Sequence, residues 1–453
     1  MSVRKIGILS PSGTGNLGDE ATVAVLIEEI RSRYPHAEIY GLTVNPDDTR
    51  KRHGIAAYPA RNKAGIQGRV ATGDGWTDTT DIQGTHLIKT VLKKIPFLYA
   101  VLKALQAVPR LLANSIAELG FLAKSFGLMR GTNLLIVAGS GQLCDNFSGA
   151  WGFPYSLVKW SVIARLCGAR LAYLSCGAGP IDSWLSRIFI KVGLGLAQYR
   201  SFRDAGSSRL VEKIGVSGTN PVFPDLVFST KFNGNESSAR KSRIVAINPF
   251  PHCDQRYWTV DEPEAYSSYV TRLASVASWL IKNNYTVLFF PTQIRADVLV
   301  IEDVKRILMK DPALDLEQHL VVKAISTVDD LVAQLATADM VVASRFHGVL
   351  ISFLLNKPVL ALSHHPKVDN LMRDMGQSDF LLDIGTFDSK TVASRLEALE
   401  SRSQLIKQQI RFNVATCRRK LESQYRDVFC PMDSPVSAGV ERLNPATTKR
   451  RFQ

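Results

Sequence analysis

The densest concentration of reactive side chains lies in two short segments. Ser344-Arg345-Phe346-His347-Gly348 is followed by Ser363-His364-His365-Pro366-Lys367-Val368-Asp369-Asn370. Each directly follows an apolar run, Met340–Ala343 and Val359–Ser363, of the kind that forms a strand buried on both faces. Adjacent parallel strands set the two loops side by side and cluster Arg345, His347, His364, His365 and Lys367. Such a group is costly unless it is solvated or meets an anion. His347 is therefore either a buried structural imidazole or a proton-transferring group. His364 and His365 lack the i, i+4 spacing of a helical metal pair, and no metal is expected. Upstream, Arg203-Asp204 ends another strand-like run. Arg203 either clamps a carboxylate or phosphate bidentately or is a structural partner of its neighbour.

Glycine-rich turns supply the second set of candidates. Gly13-Thr14-Gly15-Asn16-Leu17-Gly18 matches the dinucleotide pattern G-x-G-x-x-G. Asp19 and Glu20 follow at the first turn of the helix, where a pyrophosphate would sit. Two carboxylates there satisfy the helix dipole and repel a second anion, which argues against a dinucleotide. A tight turn capped by acids remains open, as does a role for Asn16 and Asp19 toward a sugar hydroxyl. Gly139-Ser140-Gly141-Gln142 and Cys176-Gly177-Ala178-Gly179-Pro180 also follow strand-like runs. Small residues there let backbone N–H groups converge on an anion or let a substrate approach closely. Three such turns at strand ends point to a binding cleft.

These residues need a scaffold, and the chain reads as α/β. A first strand series is Lys5–Ser10, Glu38–Thr43, Leu134–Ala138, Leu171–Ser175, Tyr199–Arg203 and Val222–Val227. A second is Ile244–Pro249, Val287–Pro291, Leu320–Ala324, Met340–Ala343, Val359–Ser363 and Phe380–Ile384. Amphipathic stretches such as Ser267–Asn283 and Val328–Ala338 lie between them and supply crossover helices. Polar Ser229–Ser242 separates the series and reads as a linker. The expected fold is two doubly wound Rossmann-like domains facing a cleft. They cover 1–230 and 243–400, with a closing helix over 401–429 and a disordered basic tail over 431–453. About 60–130 interrupts the first domain: Ala60–Gly84 reads as a loop and Leu87–Met129 as two basic amphipathic helices divided near Pro109. The second stretch either packs on the first domain or serves as an interfacial membrane helix or acceptor lid.

Composition narrows the class. The 453 residues are 45% hydrophobic and 21% charged, which excludes overall disorder. No apolar run is long enough to span a bilayer, and no export signal is recognisable, so a cytoplasmic setting is expected. Cys144, Cys167, Cys176, Cys253, Cys417 and Cys430 form no C-x-x-C pair. The net charge of +14 fits nucleic acid, an anionic membrane or small anionic substrates. Nucleic acid is disfavoured, because the basic residues of interest follow apolar strands rather than interleaving with surface aromatics.

Taken together, the motifs resemble the polysaccharide pyruvyl transferase family. They are Gly15–Ala21 (GNLGDEA), Gly139–Leu143 (GSGQL), Ser201–Asp204 (SFRD), Pro224–Phe228 (PDLVF), Ser344–Gly348 (SRFHG) and His365–Leu371 (HPKVDNL). They occur in the family's order, and the likeness runs from about Gly7 to Glu400. The resemblance implies a GT-B-like fold and transfer of pyruvate from phosphoenolpyruvate to two sugar hydroxyls, with a cyclic ketal and phosphate as products. It implies phosphoenolpyruvate binding by Arg203, His347 and Lys367, with Asn16 and Asp19 matching a further motif. Ser140 departs from the family's more frequent triple glycine.

On that basis His347 is expected to protonate the methylene carbon and Asp19 to accept a hydroxyl proton. Arg203 and Lys367 would hold the carboxylate and phosphate. Arg345, Asn16, Gly139, Ser140, Gly141 and His365 complete the expected binding set. No cofactor is expected. The expected partners are phosphoenolpyruvate and a saccharide acceptor, with lipid-linked precursors among the candidates and peripheral membrane contact through 87–129. Two alternatives stand beside this reading: a nucleotide-sugar glycosyltransferase of the same architecture and a non-catalytic saccharide-binding protein.

Overall fold

A computed structural model describes residues 4–62, 114–146, 148–232, 243–258 and 262–430. Two six-stranded sheets, parallel throughout, organise the chain. The first runs β3-β2-β1-β4-β5-β6, with β1 Lys5–Leu9, β2 Glu38–Thr43, β3 Ala56–Pro59, β4 Leu134–Val137, β5 Arg170–Cys176 and β6 Tyr199–Phe202. The second runs β12-β11-β10-β7-β8-β9. Its strands are β7 Arg243–Asn248, β8 Tyr285–Phe289, β9 Leu320–Val322, β10 Met340–Ala343, β11 Val359–Ser363 and β12 Leu381–Asp383. Counted within each domain, both orders are 3-2-1-4-5-6, so the strand order reverses beside β1 and β7. Ligands of such sheets sit outside the carboxyl ends at these switch points.

The central strands are short and buried because helices cover both faces. In the first sheet, Ile6, Ile8, Leu134 and Ile136 face one core, while Leu9, Leu135 and Val137 face another. β10 and β11 are neighbours, paired Val341 to Val359 and Ala343 to Ala361, which sets the loops after them side by side as expected.

Two strand expectations are corrected. Val222–Val227 is not a strand: Val222 makes an isolated bridge to Phe202, and Leu226–Ser229 is a 3-10 turn. Pro221 and Pro224 carry no N–H for a ladder, and the Asp225 carboxylate instead accepts from Val227 N at 3.0 Å. The sixth strand is β3, an edge strand whose sequence Ala-Ala-Tyr-Pro carries little strand signal. Of the insertion, 63–113 lies outside the described residues, and 114–129 is helical. Most of the linker (233–242) and the whole tail (431–453) also lie outside them.

The helix Ser403–Phe429 runs back across the molecule. Asn413 Nδ2 donates to Met375 O at 3.0 Å in the second domain. Further along, Gln424 Nε2 donates to Ser175 Oγ at 3.1 Å, and Phe429 O accepts from Tyr34 Oη at 2.8 Å, both in the first.

Candidate active site

The loop after β1 is held from within. Gly13 and Gly15 adopt φ of 90° and 84°, a region that favours glycine. Gly13 N donates to Glu20 Oε1 at 2.8 Å, while Glu20 Oε2 accepts from Ser12 Oγ at 2.6 Å and meets His53 Nε2 at 2.9 Å. A carboxylate of the chain thus occupies the seat that a dinucleotide phosphate would need. Asn16 caps the helix Leu17–Arg33, its side chain accepting from Gly18 N at 3.1 Å.

The same loop is stitched to the second domain. Leu17 N donates to Thr292 O at 2.8 Å, Ile294 N to Gly15 O at 3.0 Å and Gln293 Nε2 to Thr14 O at 3.0 Å. The 292–293 turn is held by fully buried Asp297, whose Oδ2 accepts from both N–H groups at 2.9 Å. Oδ1 of Asp297 accepts from Arg345 Nε at 2.9 Å. Arg345 is therefore ion-paired, and its guanidinium lies 4.7 Å from the Phe250 ring centre.

Opposite the loop, Gly18 faces His347 in the first turn of the helix Phe346–Leu354, and any methyl at Gly18 would collide with the imidazole. His347 Nε2 lies 3.9 Å from Asp225 Oδ2, beyond hydrogen-bond reach but close enough for charge to act. Asp225 also pairs with Arg203 Nη1 at 3.3 Å. Arg203 packs 4.4 Å from the Phe346 ring centre and closely against Gly177. Arg203 and His347, from opposite domains, thus share one buried carboxylate. Arg203 Nε, His347 Nε2 and Ser140 Oγ are buried and unpartnered among the described residues. Unfilled hydrogen-bonding capacity of this kind is expected where a ligand binds.

Lys367 lies in the first turn of the helix Pro366–Asp374. Its backbone N–H donates to Nδ1 of His365, the residue that caps this helix, at 3.2 Å. The Lys367 ammonium has no hydrogen bond or ion pair among the described residues. Within the Gly139–Gly141 turn, Gly139 is required by packing, since a Cβ would lie 2.7 Å from Leu174 O. Gly141 faces open space.

Burial dominates the electrostatics, and the clustered cations add to it for the imidazoles and Lys367. Burial, assisted by Glu20, pushes the Asp19 carboxyl up to about 7, against the pull of Arg203 and Lys367. Burial lowers His347 to about 4, with Arg203, Lys367 and Arg345 adding to the shift and Asp225 opposing it. Lys367 falls to about 8 through burial and its neighbours Arg203 and Arg345. His365 falls to about 4 for similar reasons. His364 is stacked at 3.7 Å on Phe250 and driven far below the usual imidazole range by burial. It is a packing residue.

The sequence-derived set thus divides. Asp19, Arg203, His347, Lys367, His365 and Ser140 converge on one cleft, while Asn16, Gly139 and Arg345 hold its walls. Sequence reasoning missed Asp225 and Asp297. Asp225 lay inside a recognised motif, and a lone carboxylate in an apolar stretch was its available signal. Asp297 carried none. Among the described residues no group of three His, Cys, Asp or Glu side chains could hold a metal ion.

Solved structures of other proteins share this architecture. UDP-GlcNAc 2-epimerase from Neisseria meningitidis, bound to UDP-GlcNAc, is 8% identical over 93% of this chain and 99% of its own, at a TM-score of 0.53. The epimerase from Methanocaldococcus jannaschii is 8% identical over 87% and 92%, at 0.51. A glycosyltransferase from Rickettsia africae is 9% identical over 94% and 99%, at 0.50. At such identities the likeness is one of fold: two Rossmann-like domains facing a cleft, in the GT-B manner. No curated protein matches the chain. The family model for polysaccharide pyruvyl transferase matches residues 16–366, which span both walls of this cleft, and the chain belongs to that family.

Proposed function

We propose that the cleft transfers pyruvate from phosphoenolpyruvate to two hydroxyls of a saccharide, forming a cyclic ketal. The observation that carries this reading is that Arg203 and His347, from opposite domains, share the buried Asp225 carboxylate, with Lys367 close enough for its charge to act on His347 and its ammonium unpaired among the described residues. This is an excess of positive charge in a dry site, suited to a small polyanion. Phosphoenolpyruvate carries up to three negative charges and matches it.

The proton balance is simple. The two hydroxyls give up two protons; one ends on the methylene carbon and the other on phosphate. With no donor bound, burial, assisted by the surrounding cations, holds His347 neutral near pH 7. A trianion lying on Arg203 and Lys367 cancels the cationic share of that depression, and its own charge joins Asp225 in favouring the imidazolium against burial. His347 thereby gains its acidic proton only with the donor bound, and passes it to the methylene carbon. The first hydroxyl attacks C2 and loses its proton to Asp19 in its ionised form. Phosphate then departs, stabilised by Arg203 and Lys367, as the second hydroxyl closes the ring.

The test is phosphate release from phosphoenolpyruvate over a panel of free, nucleotide-linked and lipid-linked saccharides. Acceptor-dependent release, with a product heavier by the pyruvate ketal, supports the reading. Nucleotide release from a sugar nucleotide, with no phosphate from phosphoenolpyruvate, refutes it.

A further inference from the structure

The helices at 114–129, Phe153–Leu166 and Trp184–Gly195 cover one face of the first sheet. Their inner residues fill a core separate from the one shared with the second domain, including Leu157, Trp160, Ile190 and Leu194. Their outer side is unusually apolar. Ile116, Leu119, Trp151, Leu166, Trp184 and Ile188 are each between 47% and 70% exposed. Trp151 is held in place by Tyr155 and Phe189, with ring centres 5.2 and 5.7 Å away.

The exposed charge along these three helices is one-signed. Lys124, Arg165, Arg187 and Lys191 are exposed along the three helices. Their only carboxylate is Glu118, which is tied inward by Tyr155 Oη at 3.0 Å and Lys159 Nζ at 3.2 Å. Asp145 and Asp182 stand at the near end of the third helix, where Asp145 Oδ2 accepts from the N–H groups of Asp182 and Ser183 at 3.0 and 2.9 Å. Exposed tryptophans with aliphatic neighbours suit the boundary between headgroups and acyl chains. Cations without facing carboxylates suit anionic headgroups. No helix among the described residues is long and apolar enough to cross a membrane, so the contact is peripheral.

We propose that this face docks on an anionic lipid bilayer, with Trp151, Trp184 and Ile188 entering the interface and Arg187 and Lys191 meeting the headgroups. The inference stands on this surface and is independent of the reaction in the cleft.

The test is cosedimentation of the full chain with phosphatidylcholine vesicles, with and without phosphatidylglycerol. Binding to the anionic vesicles alone, with a blue shift of tryptophan emission, is expected. Trp184→Ser with Ile188→Asp should abolish binding without lowering the melting temperature, since both side chains are exposed. Arg187→Glu with Lys191→Glu should weaken it about tenfold or more at low salt. Absence of binding to anionic vesicles overturns the proposal. So does full binding by the Trp184→Ser, Ile188→Asp chain, which would put the contact elsewhere. A dimer that this variant dissolves, without vesicle binding by the parent chain, assigns the face to a second copy and overturns it equally.

Discussion

Gly18, in the first turn of a helix of one domain, lies flat against the imidazole of His347, in the first turn of a helix of the other. The absence of a side chain at Gly18 sets how closely the domains approach. Gly18→Ala is expected to push the cleft apart and lower turnover by about a hundredfold, the cost of a misplacement near 1 Å. Gly120→Ala is the control: it sits in an exposed helix with nothing within 4 Å of its would-be Cβ, and it should keep full turnover. Steady-state phosphate release compares the two.

Asp225 is expected to matter as the carboxylate that lets His347 hold a proton. Asp225→Asn retains an oxygen for the Val227 cap but removes the charge that opposes the depression of His347. Turnover should fall by roughly 10²–10³, with the optimum displaced toward acid and with a smaller effect on KM. A pH profile of kcat decides this. An unshifted profile with only a raised KM would assign Asp225 to binding alone.

Lys367 gives an alkaline limit. Its ammonium is lost as the pH rises through about 8, so donor affinity should decline above that point. Arg keeps its charge throughout this range. Lys367→Arg should extend binding to higher pH, and Lys367→Met should raise the KM for phosphoenolpyruvate at least about tenfold at neutral pH. Titration calorimetry with phosphoenolpyruvate from pH 7 to pH 9 gives the direct readout.

Asp19 predicts a stability effect of definite sign. Its carboxyl holds a proton up to about pH 7 in the fold, against 3.8 as the ordinary value. The folded state therefore binds one more proton than the unfolded chain between these limits, and stability falls as the pH rises across that window. Asp19→Asn removes the cost, so the empty enzyme should gain up to roughly 4 kcal/mol above pH 7 and nothing below pH 4. Thermal melts at pH 4 and pH 8 test it, with the gain expected to coincide with lost turnover.

The architecture was legible because parallel strands buried on both faces read as short apolar runs, and five of the six expected in the first domain are present. Val222–Val227 misled because apolar content speaks for burial, whereas the two prolines denied it a ladder. Ala56–Pro59 escaped because an edge strand needs no apolar run. In the site, cations following strands were visible as a cluster. Arg345 was not separable from Arg203 and Lys367, because its partner Asp297 lies on a distant helix and only the fold joins them. The proposed acid and base, His347 and Asp19, could be picked out by residue type, but their protonation could not. Burial inverts the ordinary order of Asp19 and His347, helped by Glu20 for the carboxyl and by the cations for the imidazole, and burial depends on both domains.

The returning C-terminal helix bears on how the chain is made. Gln424 hydrogen-bonds Ser201, 223 positions earlier, and reaches Ser175 on the same sheet. The first domain leaves the ribosome first, yet these buried hydroxyls wait for nearly the last described turn of helix. At ordinary synthesis rates the delay is roughly 10–45 s. Until then the nascent first domain carries an unsealed seam, open to chaperones and proteases. A chain cut short before Gln424 would leave Ser175 and Ser201 without this partner, so the seam closes only when the C-terminal helix has been made.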